Sequence, residues 1–121
     1  MELVFVLGRL IFGGYFAYNG INHFRHLKML AGYSQMKGVP LPTVAVFFTG
    51  LLLFLGGLSF IFDYYAMYGS IMLIVFLVPT SFMMHNFWKI NDAQQKMVEQ
   101  INFTKNLALL GAVLMFLKFF S

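Results

Sequence analysis

The chain has 121 residues, 60% of them hydrophobic, and a mean hydropathy of +0.80. Eight Lys or Arg and four Asp or Glu are too few to clothe a water-soluble domain of this length, so composition points to an integral membrane protein. A net charge of +4 suits interfacial anchors rather than nucleic-acid binding, and the absence of cysteine excludes thiolate catalysis, disulfide exchange and Cys-ligated metal or iron–sulfur centres within the chain.

The first apolar run, 3–20, is interrupted only by Arg9. It lacks a basic leader region and a small-residue cleavage site, so it reads as a retained transmembrane helix. The segment 23–38 sets Phe24, Leu27 and Leu30 at helical spacing with Arg25 and Lys28 between them. This predicts a short helix near 23–33 lying in the membrane interface. Gly38-Val39-Pro40-Leu41-Pro42 then breaks that helix and opens a second apolar run, 42–62, which carries no charge. Asp63-Tyr64 is a tight turn into a third uncharged run, 65–84, where Pro79 predicts a kink. A helix of about 20 residues crosses a hydrocarbon core of about 30 Å, so these are three spans.

The fourth span needs an argument. Asn91-x-x-Gln94 resembles a capping box, and Asp92/Lys96 and Gln95/Glu99 stand at i,i+4, so a helix from about Asp92 is expected to run into it. The apolar stretch 107–120 is too short to cross by itself and must extend backward through Asn102, Lys105 and Asn106. Lys105 and Asn106 then lie within one or two turns of the membrane boundary, while Lys118 snorkels to the opposite one. The expected architecture is an all-α, integral membrane four-helix bundle. It forms a single transmembrane domain over 1–121, with spans at about 3–22, 42–62, 65–85 and 101–120. Small residues (Gly8, Gly13, Gly14 and Ala17; Gly50, Gly56 and Gly57; Ala108, Gly111 and Ala112) permit close helix approach.

Polar side chains set into such spans are costly and face a protein interior, a cavity or the headgroups. By parity, the end of span one, the end of span three and the start of span four share one membrane face. Asn19, Asn22, His23, His85, Asn86, Trp88, Asn102, Lys105 and Asn106 gather toward it, and Arg9 lies deeper on the stripe of Phe16 and His23. We take Arg9, Asn19, His85, Trp88, Lys105 and Asn106 as candidate walls of a pocket, with Asn22 and Asn102 at its rim. Glu2, Asp63, Asp92 and Glu99 all fall outside the apolar runs, so no internal carboxylate is expected beside Arg9 or Lys105. Such a pocket would suit a lipid phosphate, a small oxyanion or a quinone carbonyl, with Arg9 and Lys105 as charge-assisted donors, His85 moving a proton and Trp88 flanking a ring. The alternative is structural. Arg9 snorkels, Trp88 and Lys105 anchor at the interface, and the amides hydrogen-bond between helices in a collapsed bundle. His23 and His26 have no third ligand nearby, so no metal site is expected, and no nucleotide loop or nucleophile–base motif occurs.

Several pieces, in order and spacing, resemble the DoxX family of small four-helix membrane proteins. They are Leu7-Gly8-Arg9-Leu10, Asn19-Gly20-Ile21-Asn22-His23-Phe24, Lys37-Gly38-Val39-Pro40, Gly50-Leu51-Leu52 with Leu55-Gly56-Gly57, His85-Asn86-Phe87-Trp88, and Asn102-Phe103-Thr104-Lys105-Asn106-Leu107. The resemblance implies a bundle related to the vitamin K epoxide reductase-like architecture, in a multi-pass protein of a prokaryotic cell membrane. It also implies an accessory or membrane subunit of a quinone-linked redox system, in sulfur-compound oxidation or an oxidative-stress complex. No cofactor is firmly implied, a quinone being compatible with such a protein, and a redox subunit or a second copy would be its partner. Assembly or scaffolding without catalysis, and small-solute or lipid transport, remain alternatives. Two departures stand out. Many relatives carry Glu where this chain has Leu53, and a basic residue in the turn that here reads Asp63-Tyr64. Orientation stays open, because Arg25, Lys28, Lys37, Lys89 and Lys96 favour cytoplasmic long connections and the family's usual basic turn favours the reverse.

Overall fold

The computed structural model describes residues 1–121. It comprises α1 (Glu2–Arg25), α2 (Leu27–Met36), α3 (Pro42–Ile61), α4 (Ala66–Met84), a 3-10 turn at Phe87–Lys89, and α5 (Ala93–Phe120). There are no strands. The four long helices are long and apolar enough to cross a membrane. Only 22 of the 121 residues are buried, and Ile11, Val44, Leu114, Met115 and Phe119 are among many large apolar side chains that point outward. In water this surface would be penalised at about 25 cal/mol per Å². In lipid it carries no such penalty, and the fold is that of a multi-pass membrane protein.

Local chemistry sets the boundaries. Glu2 lies in the first turn of α1, and His23 and Arg25 lie in the last, each complementing the helix dipole. The short helix expected near 23–33 forms as Leu27–Met36, because α1 continues to Arg25 before the chain bends at His26. α2 ends on Gly38, whose φ of +81° admits the left-handed conformation. Val39 N–H then bonds to the Ser34 carbonyl at 3.1 Å and Gly38 N–H to the Gln35 carbonyl at 3.0 Å, a Schellman closure. The same closure ends α3. Asp63 takes φ +52°, Tyr64 N–H reaches the Ser59 carbonyl at 2.9 Å and Asp63 N–H the Phe60 carbonyl at 3.3 Å. α4 runs through Pro79 without interruption.

The cap of α5 sits one residue beyond the expected capping box. Asp92, not Asn91, accepts a backbone bond from Gln95 at 3.0 Å, its carboxylate matching the positive end of the dipole better than an amide does. Neither expected i,i+4 pair forms, because Asp92 is engaged in this cap and Glu99 turns inward.

α1 packs on α3, α3 on α4, and α4 on α5, while α2 lies against α3. The α1–α3 contact is made by backbone. A methyl added at Gly13 would come within 2.5 Å of the Gly57 carbonyl oxygen, and one at Gly20 within 2.8 Å of the Gly50 carbonyl oxygen. The core holds Phe16, Leu53, Phe60, Leu73, Leu77 and Val113. α1 and α5 have no comparable backbone approach. They meet near the chain termini through Phe5–Phe119 and Phe12–Phe116, with ring centroids 6.0 and 5.2 Å apart.

Candidate functional site

Beyond those aromatic contacts, toward α2, the helices enclose a cavity of about 510 Å³. α1 contributes Tyr15, Asn19 and His23, and α3 contributes Val46, Thr49 and Leu53. α4 contributes Phe76, Leu77 and its end at His85, and α5 contributes Lys105, Asn106 and Leu109. Leu30, Tyr33 and Ser34 of α2 lie over one end. The walls are mostly hydrocarbon, and the polar groups stand singly among them.

Four of the six residues taken from sequence as pocket walls line this cavity: Asn19, His85, Lys105 and Asn106. Arg9 and Trp88 do not. Arg9 leans toward the N-terminus of its helix, as helical side chains do, and its Nη1 meets Asp63 Oδ2 at 3.0 Å. The expectation that no carboxylate reaches Arg9 is corrected by the Schellman turn, which carries Asp63 back over the bundle end. Phe5 lies against the same guanidinium at 5.3 Å, and Arg9 Nε is buried without a partner. Trp88 stands in the 3-10 turn, half exposed, packed on Phe82, Phe87 and Phe103 at 6.2, 5.3 and 5.5 Å. Neither rim residue, Asn22 or Asn102, lines the cavity, but Asn102 is bonded to a side chain that bears on it.

That side chain is Glu99, which sequence reasoning left outside. It is 7% exposed and gathers three segments. Its Oε1 accepts from His85 Nδ1 at 3.1 Å and from Asn102 Nδ2 at 2.9 Å. Its Oε2 accepts from the Tyr33 hydroxyl at 2.8 Å, with the Lys37 ammonium 3.6 Å away. Lys37 also donates to Asn86 Oδ1 at 3.0 Å. One carboxylate thus ties α2 to the ends of α4 and α5. Burial first, and then the bond and negative charge of Glu99, push the Tyr33 hydroxyl up to about 12, so it remains a donor. A signal was present in the sequence. Glu99, Asn106 and Val113, the buried residues of α5, repeat every seven positions.

The two cavity histidines are held alike. A carbonyl or carboxylate can only accept, so His23 Nδ1–H donates to the Val46 carbonyl at 3.1 Å and His85 Nδ1–H to Glu99, leaving each Nε2 free. Asn19 donates to the Tyr15 carbonyl at 2.7 Å and keeps its amide oxygen. Lys105 forms no salt bridge; its ammonium stands 6.0 Å from the centre of the Tyr15 ring. The site therefore offers one uncompensated cation, two imidazole nitrogens and amide groups in an otherwise apolar chamber. Such a chamber suits an amphipathic molecule with hydrogen-bond acceptors at its head.

The family model described as DoxX matches residues 4–86, more than half of the chain, and covers α1 to α4 but not α5. No curated protein and no solved structure is significantly similar to the chain.

Proposed function

Because the chain belongs to the DoxX family of membrane proteins, we propose that it is a membrane subunit of a quinone-linked redox system and that its cavity holds the quinone head. The observation that carries this reading is Lys105, an unpaired cation lining an apolar chamber of about 510 Å³. A quinone supplies reversible electron and proton acceptance when bound. Lys105 would donate a charge-assisted bond to a ring carbonyl, which strengthens as negative charge develops on that oxygen. His85, oriented through Nδ1 by Glu99, would present Nε2 for a second bond or a proton. Asn106 and Asn19 would orient the head, while Phe76, Leu77 and Leu109 exclude water from it. Electrons would come from a partner redox subunit, since this chain has no thiol.

The test is binding of a decyl-substituted benzoquinone to the protein in lipid nanodiscs, measured against empty nanodiscs. We expect saturable binding that Lys105→Met weakens at least tenfold while the helices remain folded by circular dichroism. Binding no greater than to empty discs, or unchanged in Lys105→Met, rejects the reading. Native purification addresses the partner. A co-purifying redox enzyme supports a redox subunit, whereas an unrelated client protein supports an assembly factor.

A further inference from the structure

The two ways into the cavity are built differently. Toward the face that carries α2, the gap is crossed by polar bonds: Tyr33 to Glu99, Lys37 to Asn86, and His85 to Glu99. Leu30 and Ser34 lie over the same end. Between α1 and α5, no backbone contact comparable to the other helix pairs closes the wall. Their aromatic contacts lie toward the termini, Phe16 and Val113 share the core below the cavity, and beside it Lys105 approaches the Tyr15 ring at 6.0 Å without a hydrogen bond. Lys105 and Tyr15 line the cavity and are exposed, as Tyr33 and Pro40 are at the other end, but no hydrogen bond or salt bridge joins Lys105 to Tyr15 as Tyr33 is joined to Glu99. Lys105 and Tyr15 stand on membrane-spanning helices, so what they are exposed to there is the bilayer.

We infer that the cavity is loaded sideways, through the seam between α1 and α5, and that Glu99 keeps the water-facing mouth shut. The site therefore takes a membrane-dissolved amphiphile and not a water-borne oxyanion. A ligand with a long apolar tail fits this geometry. Its head passes Tyr15 and Lys105 into the chamber, and its tail stays in the seam among lipid chains. The cation at the threshold selects heads that carry acceptor oxygens. The flexible ammonium stem and the aromatic ring, held to each other only by a cation–π approach, part at little cost. The mouth, by contrast, opens only if several bonds to one buried carboxylate break together. Glu99 acts here as a positioning residue, through α2 and His85.

The inference rests on the ligand-binding reading above, but its test does not need the ligand. The chain has no cysteine, so Thr49→Cys places a single thiol in the cavity wall. In nanodiscs, a lipid-soluble uncharged maleimide should label it, and a sulfonated, membrane-impermeant maleimide should label it at least tenfold more slowly. Gln35→Cys on the exposed side of α2 serves as the reference for free access. Adding Glu99→Gln, which keeps the shape and removes the charge, should raise the rate with the sulfonated reagent at least tenfold. Lys37→Met is a second, milder way to loosen the mouth and should act in the same direction.

If the sulfonated reagent labels Thr49→Cys as fast as Gln35→Cys, the mouth is open and the inference falls. It falls equally if neither Glu99→Gln nor Lys37→Met changes that rate. Binding of quinones adds the second arm. The decyl-substituted benzoquinone should bind, a tail-less analogue should bind at least tenfold more weakly, and inorganic phosphate should not displace the former. Equal binding of both quinones, or displacement by phosphate, overturns sideways loading while leaving the quinone reading standing. Failure of every quinone to bind, with the labelling pattern intact, has the opposite meaning. The seam then serves another amphiphile, such as a phospholipid, and the quinone reading falls.

Discussion

The two ends of the bundle solve the same packing problem in opposite ways. At the end that carries the chain termini, Gly13 and Gly57 bring α1 and α3 into backbone contact, and Phe12, Phe60, Phe116 and Phe120 fill the space around them. The one deep cation there, Arg9, is neutralised by Asp63. At the other end α1 and α3 stay in contact at Gly20 and Gly50, but the remaining walls part around a chamber where polar side chains stand among the rings. There a carboxylate gathers Lys37, Tyr33, His85 and Asn102, and a second cation, Lys105, is left over. Lipid exerts no hydrophobic pressure to close such a gap, so an unfilled region persists where small residues and rings do not force contact. One end is packed closed, and the other keeps an open chamber behind its polar mouth.

The largest expected effect attacks the closed end. Gly57→Leu has no room, since even a methyl there would stand 2.5 Å from both the Ala17 nitrogen and the Gly13 carbonyl oxygen. We expect a loss of about 3 kcal/mol or more, read as a lost or much lowered thermal transition in detergent. A transition unchanged within error would mean that α1 and α3 are not in backbone contact.

The next effect attacks the open end. Glu99→Ala removes the partner of Tyr33, His85 and Asn102 and leaves Lys37 only Asn86, and we expect a loss of about 2 kcal/mol with faster hydrogen exchange in α2 and none in the α3–α4 turn. Exchange rising equally at both ends would erase the distinction between them.

Asp63→Asn should matter less. The Arg9–Asp63 pair is close, but the Asp63 side chain is 46% exposed and its partner's 17%, so the thermal transition should fall by the equivalent of under about 1 kcal/mol. A larger fall would make this pair a principal support of the closed end.

The smallest effect is spectroscopic. Tyr33 ionises near 12 in the folded chain, above the ordinary value of about 10. Its bond to Glu99 therefore stabilises α2 fully below the ordinary value and is lost as pH rises through about 12. An alkaline difference titration of the wild type against Tyr33→Phe should show the missing phenol among the last to ionise. Ionisation of Tyr33 at the ordinary value would mean that its hydroxyl is neither buried nor bonded to Glu99.

Much of the fold was legible because hydrocarbon imposes a simple rule on sequence. The uncharged runs 42–62 and 65–84 had to be helices, and the shortness of 107–120 correctly forced α5 backward past Lys105. The candidate site was legible only in part. Asn19, His85, Lys105 and Asn106 could be brought together by parity and helical spacing. Arg9 and Trp88 could not be placed that way, because the reach of a long side chain and the path of an irregular turn are set by tertiary contacts. Asp63 and Glu99 were misread for a shared reason. Lying outside an apolar run in sequence was equated with lying outside the bundle in space. A tight turn folds Asp63 back onto Arg9, and two extra turns of α5 carry Glu99 under α2.

The seven-residue interval of Glu99, Asn106 and Val113 also bears on how this chain tolerates change. An α-helix turns about 100° per residue, so a spacing of seven misses two full turns by about 20° and keeps all three residues on one line. Replacement of an outward neighbour such as Leu107 or Met115 leaves that line intact. Inserting or deleting one residue between Glu99 and Asn106 rotates everything before it by about 100° relative to the rest. Glu99 would then swing away from Tyr33 and His85 while Lys105 kept its place. In α5, reading frame along the helix is held more tightly than residue identity on its outer face, and indels there should be scarcer than substitutions in any library selected for function.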